Sequence, residues 1–328
     1  RKADSLYQAK DFKNSAFAFS DAFKATDAKI TVNHRYNAAC SWALANYADS
    51  AFYNLNYIAT SMNYTNYGTI KSDPDLIPLH NDTKWNPLLE KVLANKKKAF
   101  PNLDLVAING FKIELVTYGM ENNPKGKPVI VFENGRGTDF EYWLPVIKEV
   151  SKGNATFAYN RPRIGSSEDD NQLPTVDHIP DVLRQTLQAK GLNPPYILVG
   201  HSWGAAYIRT FASLYPDEIA GLIFVDPHDF VKSKVGGRSC YKEIGLTQKQ
   251  IDSLFAEYDK SADEYMAQGP KFVVEEMKAQ REFGKTGYEL CNRIPLPDVP
   301  VHFIMAGGYP FIYEKTAALY DHEKMFRI

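Results

Sequence analysis

The sequence predicts an α/β protein, a mostly parallel sheet flanked by helices with an all-helical segment ahead of it, on three observations. From Leu103 onward, short apolar runs alternate with segments of helical spacing, the pattern of parallel strands joined by helical crossovers. One of those runs, Tyr196-Ile197-Leu198-Val199, opens into Gly200-His201-Ser202-Trp203-Gly204 and then into a helical pattern. Before Leu103 the chain is rich in Ala, Asn, Tyr and Phe at helical spacing and holds few strand-like runs.

Composition narrows the classes. The 328 residues are 44% hydrophobic with a formal net charge of −1, which describes an ordinary globular protein with no basic surface for nucleic acid. No apolar run approaches the ~20 residues of a membrane span. The chain begins at Arg1 without a methionine, an arrangement compatible with a processed, exported bacterial protein. Cys40, Cys240 and Cys291 show no C-x-x-C spacing and no partner histidines, so neither a metal nor any other cofactor is expected. Cys240 and Cys291 could pair in an exported protein; buried thiols are the other reading.

Residues 1–100 form the first expected domain. Ser15, Phe19 and Ala22 recur as Ala51, Leu55 and Ile58 in "DFKNSAFAFSDAFKA" and "DSAFYNLNYIATSM", with Tyr36, Ala39, Cys40 and Ala43 striping a helix between them. The offset and the small and aromatic positions resemble a tetratricopeptide-type helical hairpin, which implies a surface for a protein partner. A further helix, "NDTKWNPLLEKVLANKKKAF", carries Trp85, Leu88, Leu89, Val92 and Leu93 on one face, and Lys96-Lys97-Lys98 reads as its solvated end.

The second expected domain is 101–328. "LVAINGFKIELVTYG" predicts a hairpin turning at Asn109-Gly110. Val129–Phe132 is a buried strand opening into a Gly-rich loop, and "NATFAYNRPRIGSSE" is a strand ending in another loop. Helix "DHIPDVLRQTLQAKG" leads to the strand before Ser202. After that strand, Ala205, Ile208, Ala212 and Tyr215 run at helical spacing until Pro216. "IAGLIFVDPHDF" and "DVPVHFIMAGG" supply two more strands, and the stretch between them, about 228–297, is helical.

Gly200-His201-Ser202-Trp203-Gly204 has the G-x-S-x-G spacing of a nucleophile turn, Asn134-Gly135-Arg136-Gly137 follows the third strand, Asn160-Arg161-Pro162-Arg163-Ile164-Gly165-Ser166-Ser167 follows the fourth, and Leu222–Pro227 ends a sixth. Together these four make residues 103 onward resemble the α/β-hydrolase fold family, whose members carry His-Gly-x-Gly at the second of these places and, less closely matched here, Asp-Arg-x-Gly-x-Gly-x-Ser at the third. The resemblance implies Ser202 as nucleophile and an oxyanion hole from the backbone N–H groups of Trp203 and Arg136, with Asn134, Gly135 and His201 shaping the pocket. It implies the chain order serine, acid, histidine. Asp226 is the favoured acid and Glu314 the alternative.

The histidine is not obvious. His201 lies within the turn, His178 and His228 are expected in loops in pocket or surface roles, and His302 within a strand in a core or sheet-face position. His322 falls in a helical pattern before any eighth strand, so the base is expected beyond Ile328. The 228–297 insertion is expected to be a cap, in which Thr247 and Gln250 form a capping box. Met266, Phe272, Val273, Val274 and Met277 serve there for packing or for lining a cavity. Arg136, Arg161 and Arg163 either attract an anionic substrate group or pair with Glu168, Asp169 or Asp170.

The implied activity is a serine hydrolase, an esterase before all, acting on a small-molecule ester or short peptide. A proline-iminopeptidase-like aminopeptidase and a catalytically inactive partner-binding protein are the alternatives. Epoxide hydrolase chemistry is disfavoured, because relatives with that activity carry Asp where Ser202 stands.

Overall fold

Asn109 and Gly110 take φ of +44° and +89°, so the chain reverses there between β1 (Leu103–Ile108) and β2 (Phe111–Tyr118), as the Asn-Gly pair predicts. A computed structural model describes residues 2–25, 29–122, 126–228, 241–242, 245–286, 289–290 and 295–305. The chain divides into two compact units, Arg1–Leu103 and Asp104–Ile328.

In the second unit the apolar runs become β3 (Val129–Glu133), β4 (Thr156–Tyr159), β5 (Tyr196–His201), β6 (Ile219–Val225) and β7 (Val301–Ile304). The sheet order is β1-β2-β4-β3-β5-β6-β7. β2 and β4 pair antiparallel, and the pairs from β4 across to β7 are parallel. Strand order reverses at β3, which lies between β4 and β5, and the loops leaving the carboxyl ends of β3 and β5 therefore meet at a switch point where α/β sheets place ligands. Val129, Val131, Phe157 and Leu198 are fully buried; after α7 (Leu144–Val150), α8 (His178–Ala189) and α9 (Gly204–Leu214) join the same core through Leu183, Leu187, Ile208 and Phe211. Each such side chain contributes about 1.5–3 kcal/mol over its exposed state. α9 stops at Leu214 with Tyr215 as its cap, because Pro216 cannot continue it.

His178 departs from its expected loop. It opens α8, where its Nε2 lies 2.6 Å from Asp170. His302 lies in β7 and is exposed, so a core position is excluded.

Between β6 and β7 lie α10 (Gln248–Gln268) and α11 (Lys271–Lys285). The capping box at the start of α10 forms as predicted: Thr247 Oγ1 accepts from the Gln250 N–H, and Gln250 Oε1 accepts from the Thr247 N–H. Glu314, His322, Cys240 and Cys291 lie outside the described residues.

The first unit is helical: α1 (Lys2–Gln8), α2 (Phe12–Ala22), α3 (Val32–Leu44), α4 (Ala48–Ser61), α5 (Tyr67–Ser72) and α6 (Trp85–Ala99). Successive helices from α1 to α4 pack on one another, and α6 packs on α4. Ala39, Ala51, Leu55, Ile58, Leu88 and Val92 form the centre of its core. Two expectations change here. Ala22 is exposed, because α2 ends at that residue, whereas Ile58, its counterpart in the 36-residue offset, is buried mid-helix. Lys96 is 1% exposed and so is no part of a solvated end, since it lies four residues after Val92 on the packed stripe, while Lys97 and Lys98 are exposed. No helix among the described residues is long and apolar enough to cross a membrane.

Candidate active site

Ser202 stands at φ +49°, a left-handed conformation that L-residues avoid, at the turn from β5 into α9. The conformation is over-determined. The Ser202 N–H donates to the Val225 carbonyl (3.1 Å), and its carbonyl accepts the N–H groups of His228 (3.1 Å) and Ala205 (3.2 Å). Gly204 makes the turn possible: a Cβ there would stand 2.5 Å from the Asn134 carbonyl oxygen and 2.8 Å from that of Glu133. A strained serine at a strand-to-helix turn holds its hydroxyl out at the carboxyl end of the sheet.

Asp226, directly after β6, also has a positive φ, +42°, and its N–H donates to the Ile304 carbonyl at 2.7 Å. It is half-buried. The turn after β6 is thus tied by backbone to both the serine turn and β7. His228 follows in that turn with its ring 5.3 Å from the Trp203 indole. His201 lies on the other side, against Gly135, where a Cβ would come within 2.9 Å of Nδ1, and edge-on to Trp143. Two histidines therefore flank the serine turn, and the sequence singled out only His201 as its neighbour. Trp203 is 1% exposed and packs among Val176, Ile179 and Tyr207, with Phe283 of α11 beside it, so its side chain belongs to the core.

The Asn134–Gly137 loop lies against this turn: a Cβ on Gly135 would be 3.5 Å from Ser202 Cβ. Beneath the loop is a buried charge cluster. Arg161, 1% exposed, donates from Nη1 to Glu133 (2.6 Å) and to the Asn134 carbonyl (2.8 Å). It also donates from Nη2 to the Gly135 carbonyl (2.7 Å) and from Nε to Glu276 of α11 (2.6 Å). Glu276 turns its other oxygen to the Gly137 N–H (2.6 Å), and Tyr159 donates to Glu133 at 2.5 Å. Burial pushes the Glu133 carboxyl above the usual carboxylate range, against the pull of Arg161 and Tyr159. Burial also works against the Arg161 charge, but the two carboxylates outweigh it.

Arg161, with its guanidinium nitrogens bonded inside the protein, is therefore not set out for an anionic substrate. Arg163 pairs with Asp169, Asp170 and Glu275, and exposed Arg136 donates to Gln280 at 2.6 Å. The expected partners Asp169 and Asp170 hold for Arg163, whereas Glu168 accepts the Lys112 N–H. Sequence reasoning missed Glu133 and Glu276. The one available signal was a glutamate closing the all-apolar run Val129–Phe132. Of the apolar residues on α11, Val273 touches the loop, lying 3.0 Å from where a Gly137 Cβ would be.

In the helical unit, Cys40, Asp73 and Asp75 bring their ligand atoms within 4.8 Å of one another beside a cavity of about 210 Å³. Both carboxylates already accept hydrogen bonds from phenols, Asp73 from Tyr36 (2.7 Å) and Asp75 from Tyr7.

Sheet, switch point and strained serine define an α/β hydrolase. Residues 128–318, more than half of the chain, match the family model described as the alpha/beta hydrolase fold, and the chain belongs to that family. The chain is 35% identical over 98 residues to the uncharacterized protein YqjL of Bacillus subtilis (strain 168), covering 30% of this chain and 39% of that one. It is 31% identical over 109 residues to a proline iminopeptidase of Heyndrickxia coagulans, covering 33% and 37%. Among solved structures, Cfl2 wild-type from Burkholderia cenocepacia aligns with TM-score 0.41 at 12% identity, over 67% of this chain and 95% of that one. The chain thus spans well under half the length of these two sequence relatives.

Proposed function

We propose that the chain is a serine hydrolase that cleaves carboxylic esters through an acyl-enzyme on Ser202. The observation that carries this reading is the Ser202 backbone, held at φ +49° between β5 and α9 by three hydrogen bonds and a glycine contact that admits no side chain. In the proposed reaction a histidine base takes the Ser202 hydroxyl proton as Oγ attacks the ester carbonyl. The tetrahedral oxyanion is met by the N–H groups of Trp203 and Arg136, each worth about 3 kcal/mol to the barrier. The alcohol leaves with the proton returned by the histidine, and water, activated by the same base, releases the acid. Asp226 is the proposed acid, consistent with its turn being bonded to the serine turn through His228. The base is proposed to be a histidine outside the described residues. Helices α10 and α11 act as the cap, and the first unit is a tetratricopeptide-like domain open to a protein partner. A serine at position 202 favours acyl transfer over epoxide opening.

The test is intact mass of the protein before and after a fluorophosphonate, with Ser202→Ala as control, followed by turnover of p-nitrophenyl esters against proline p-nitroanilide. One adduct, lost in the variant, with ester turnover supports the reading. Preference for the anilide would move it to an aminopeptidase like the Heyndrickxia relative. No adduct would leave the partner-binding role.

A further inference from the structure

Arg161 bonds two consecutive carbonyls of one loop, those of Asn134 and Gly135, and each is fixed by a separate nitrogen of one rigid guanidinium. In a planar trans peptide the carbonyl of one residue and the N–H of the next point in opposite directions. Holding those two carbonyls therefore turns the N–H groups of Gly135 and Arg136 away from the guanidinium. This loop also meets the serine turn, where a Cβ added to Gly135 would stand 3.5 Å from the Ser202 Cβ.

We propose that Arg161 is the positioning residue of the oxyanion hole, and that Glu276 makes this positioning depend on the docking of α11. The proposal rests on the serine-hydrolase reading of Ser202. Glu276 acts at two points at once. One oxygen completes the guanidinium's partners at Nε, and the other takes the Gly137 N–H, so the loop is gripped at Asn134, Gly135 and Gly137 only while α11 is seated. Ion pairing for its own sake is a weak account of the cluster, because a cation buried between two carboxylates gains little over apolar packing of the same volume. A fork whose remaining donors go to successive carbonyls of a loop beside the serine gives that loop one geometry. A lysine keeps the charge but is a point donor and loses the fork.

The test compares wild type, Arg161→Lys and Glu276→Gln in the full-length protein, using p-nitrophenyl acetate turnover and hydrogen exchange across residues 132–140. The Gly137 and Thr138 amides report the loop, since they donate to Glu276 and to the Gly135 carbonyl. In Arg161→Lys, kcat should fall about 10- to 100-fold with KM little changed, a fraction of the loss on deleting a donor outright. Exchange at 137–138 should rise about tenfold. Glu276→Gln should show both effects more weakly, and it decides the matter if Arg161→Lys does not fold. Unchanged exchange in a folded variant overturns the proposal, as does a rise in KM at constant kcat, which would make Arg161 a substrate-binding group. If the wild type takes up no fluorophosphonate, the serine reading fails, and the exchange rates still judge whether Arg161 sets the loop.

Discussion

The serine turn and the charge cluster beneath the neighbouring loop are opposite solutions to the same task of fixing a backbone. The turn is permitted locally: Gly200 to Gly204 is a five-residue word whose glycines admit the left-handed serine, which the Val225 carbonyl and the His228 N–H then hold. The cluster is fixed by partners far apart in sequence, Arg161 reaching 28 residues back to Glu133 and 115 forward to Glu276. Conformation permitted by adjacent small residues is written in consecutive residues, whereas conformation imposed by buried charge leaves only a trace along the chain, here Glu133 at the end of an apolar run.

Four measurements would break or sharpen that contrast. The largest effect belongs to the local solution. Ser202→Ala should lower ester turnover by about 10⁴-fold or more while leaving the fold intact, as judged by circular dichroism and a chromogenic assay. Next comes the distant one. Arg161→Met leaves two carboxylates buried without their cation and should cost about 3–5 kcal/mol in urea unfolding at pH 7. A loss under 1 kcal/mol would mean that the cluster is wetter than its burial indicates. Third, Ser202→Gly relieves the positive φ and should raise unfolding stability by about 1 kcal/mol although it abolishes turnover. No gain would show that the turn is unstrained.

The smallest effect is at Asp170. Burial works to raise its pKa, but the hydrogen bonds from His178 and the Gln172 N–H, with Arg163 nearby, outweigh it and hold the carboxyl below its ordinary value. Its ionised form therefore stabilises the fold above the unfolded-state pKa of about 4, and that contribution is lost as pH falls through the lower folded value. Asp170→Asn should cost about 1–2 kcal/mol at pH 6 and less below pH 4, measured by denaturant melts at each pH. A cost independent of pH would assign Asp170 a role in packing alone.

Legibility followed the same division. The Asn109-Gly110 reversal, the Thr247–Gln250 capping box and the strand, turn and helix around Ser202 were readable because each rests on residues within a few positions of one another. For Arg161 the sequence offers an anionic substrate group or the nearby Glu168, Asp169 and Asp170 as partners, and its actual partners Glu133 and Glu276 are not among them, since nothing local ties it to either. Lys96 is hidden for a related reason: a charged residue on the apolar stripe of α6 looks like a helix end until the packing around it is seen. His178 reads as a loop residue in the sequence, because a helix's first residue carries little periodicity of its own.

The separation between Arg161 and Glu276 also sets an order of events on the ribosome. At roughly 5–20 residues per second, the 115 residues between them take on the order of 6–23 seconds to synthesise. Glu133 and Arg161 leave the ribosome early enough to find each other first, and the turn carrying Ser202 follows them. From Ser202 to Glu276 that rate gives roughly 4–15 seconds in which the nascent sheet carries its left-handed serine before α11 is complete, a window in which chaperones and proteases can meet the switch point.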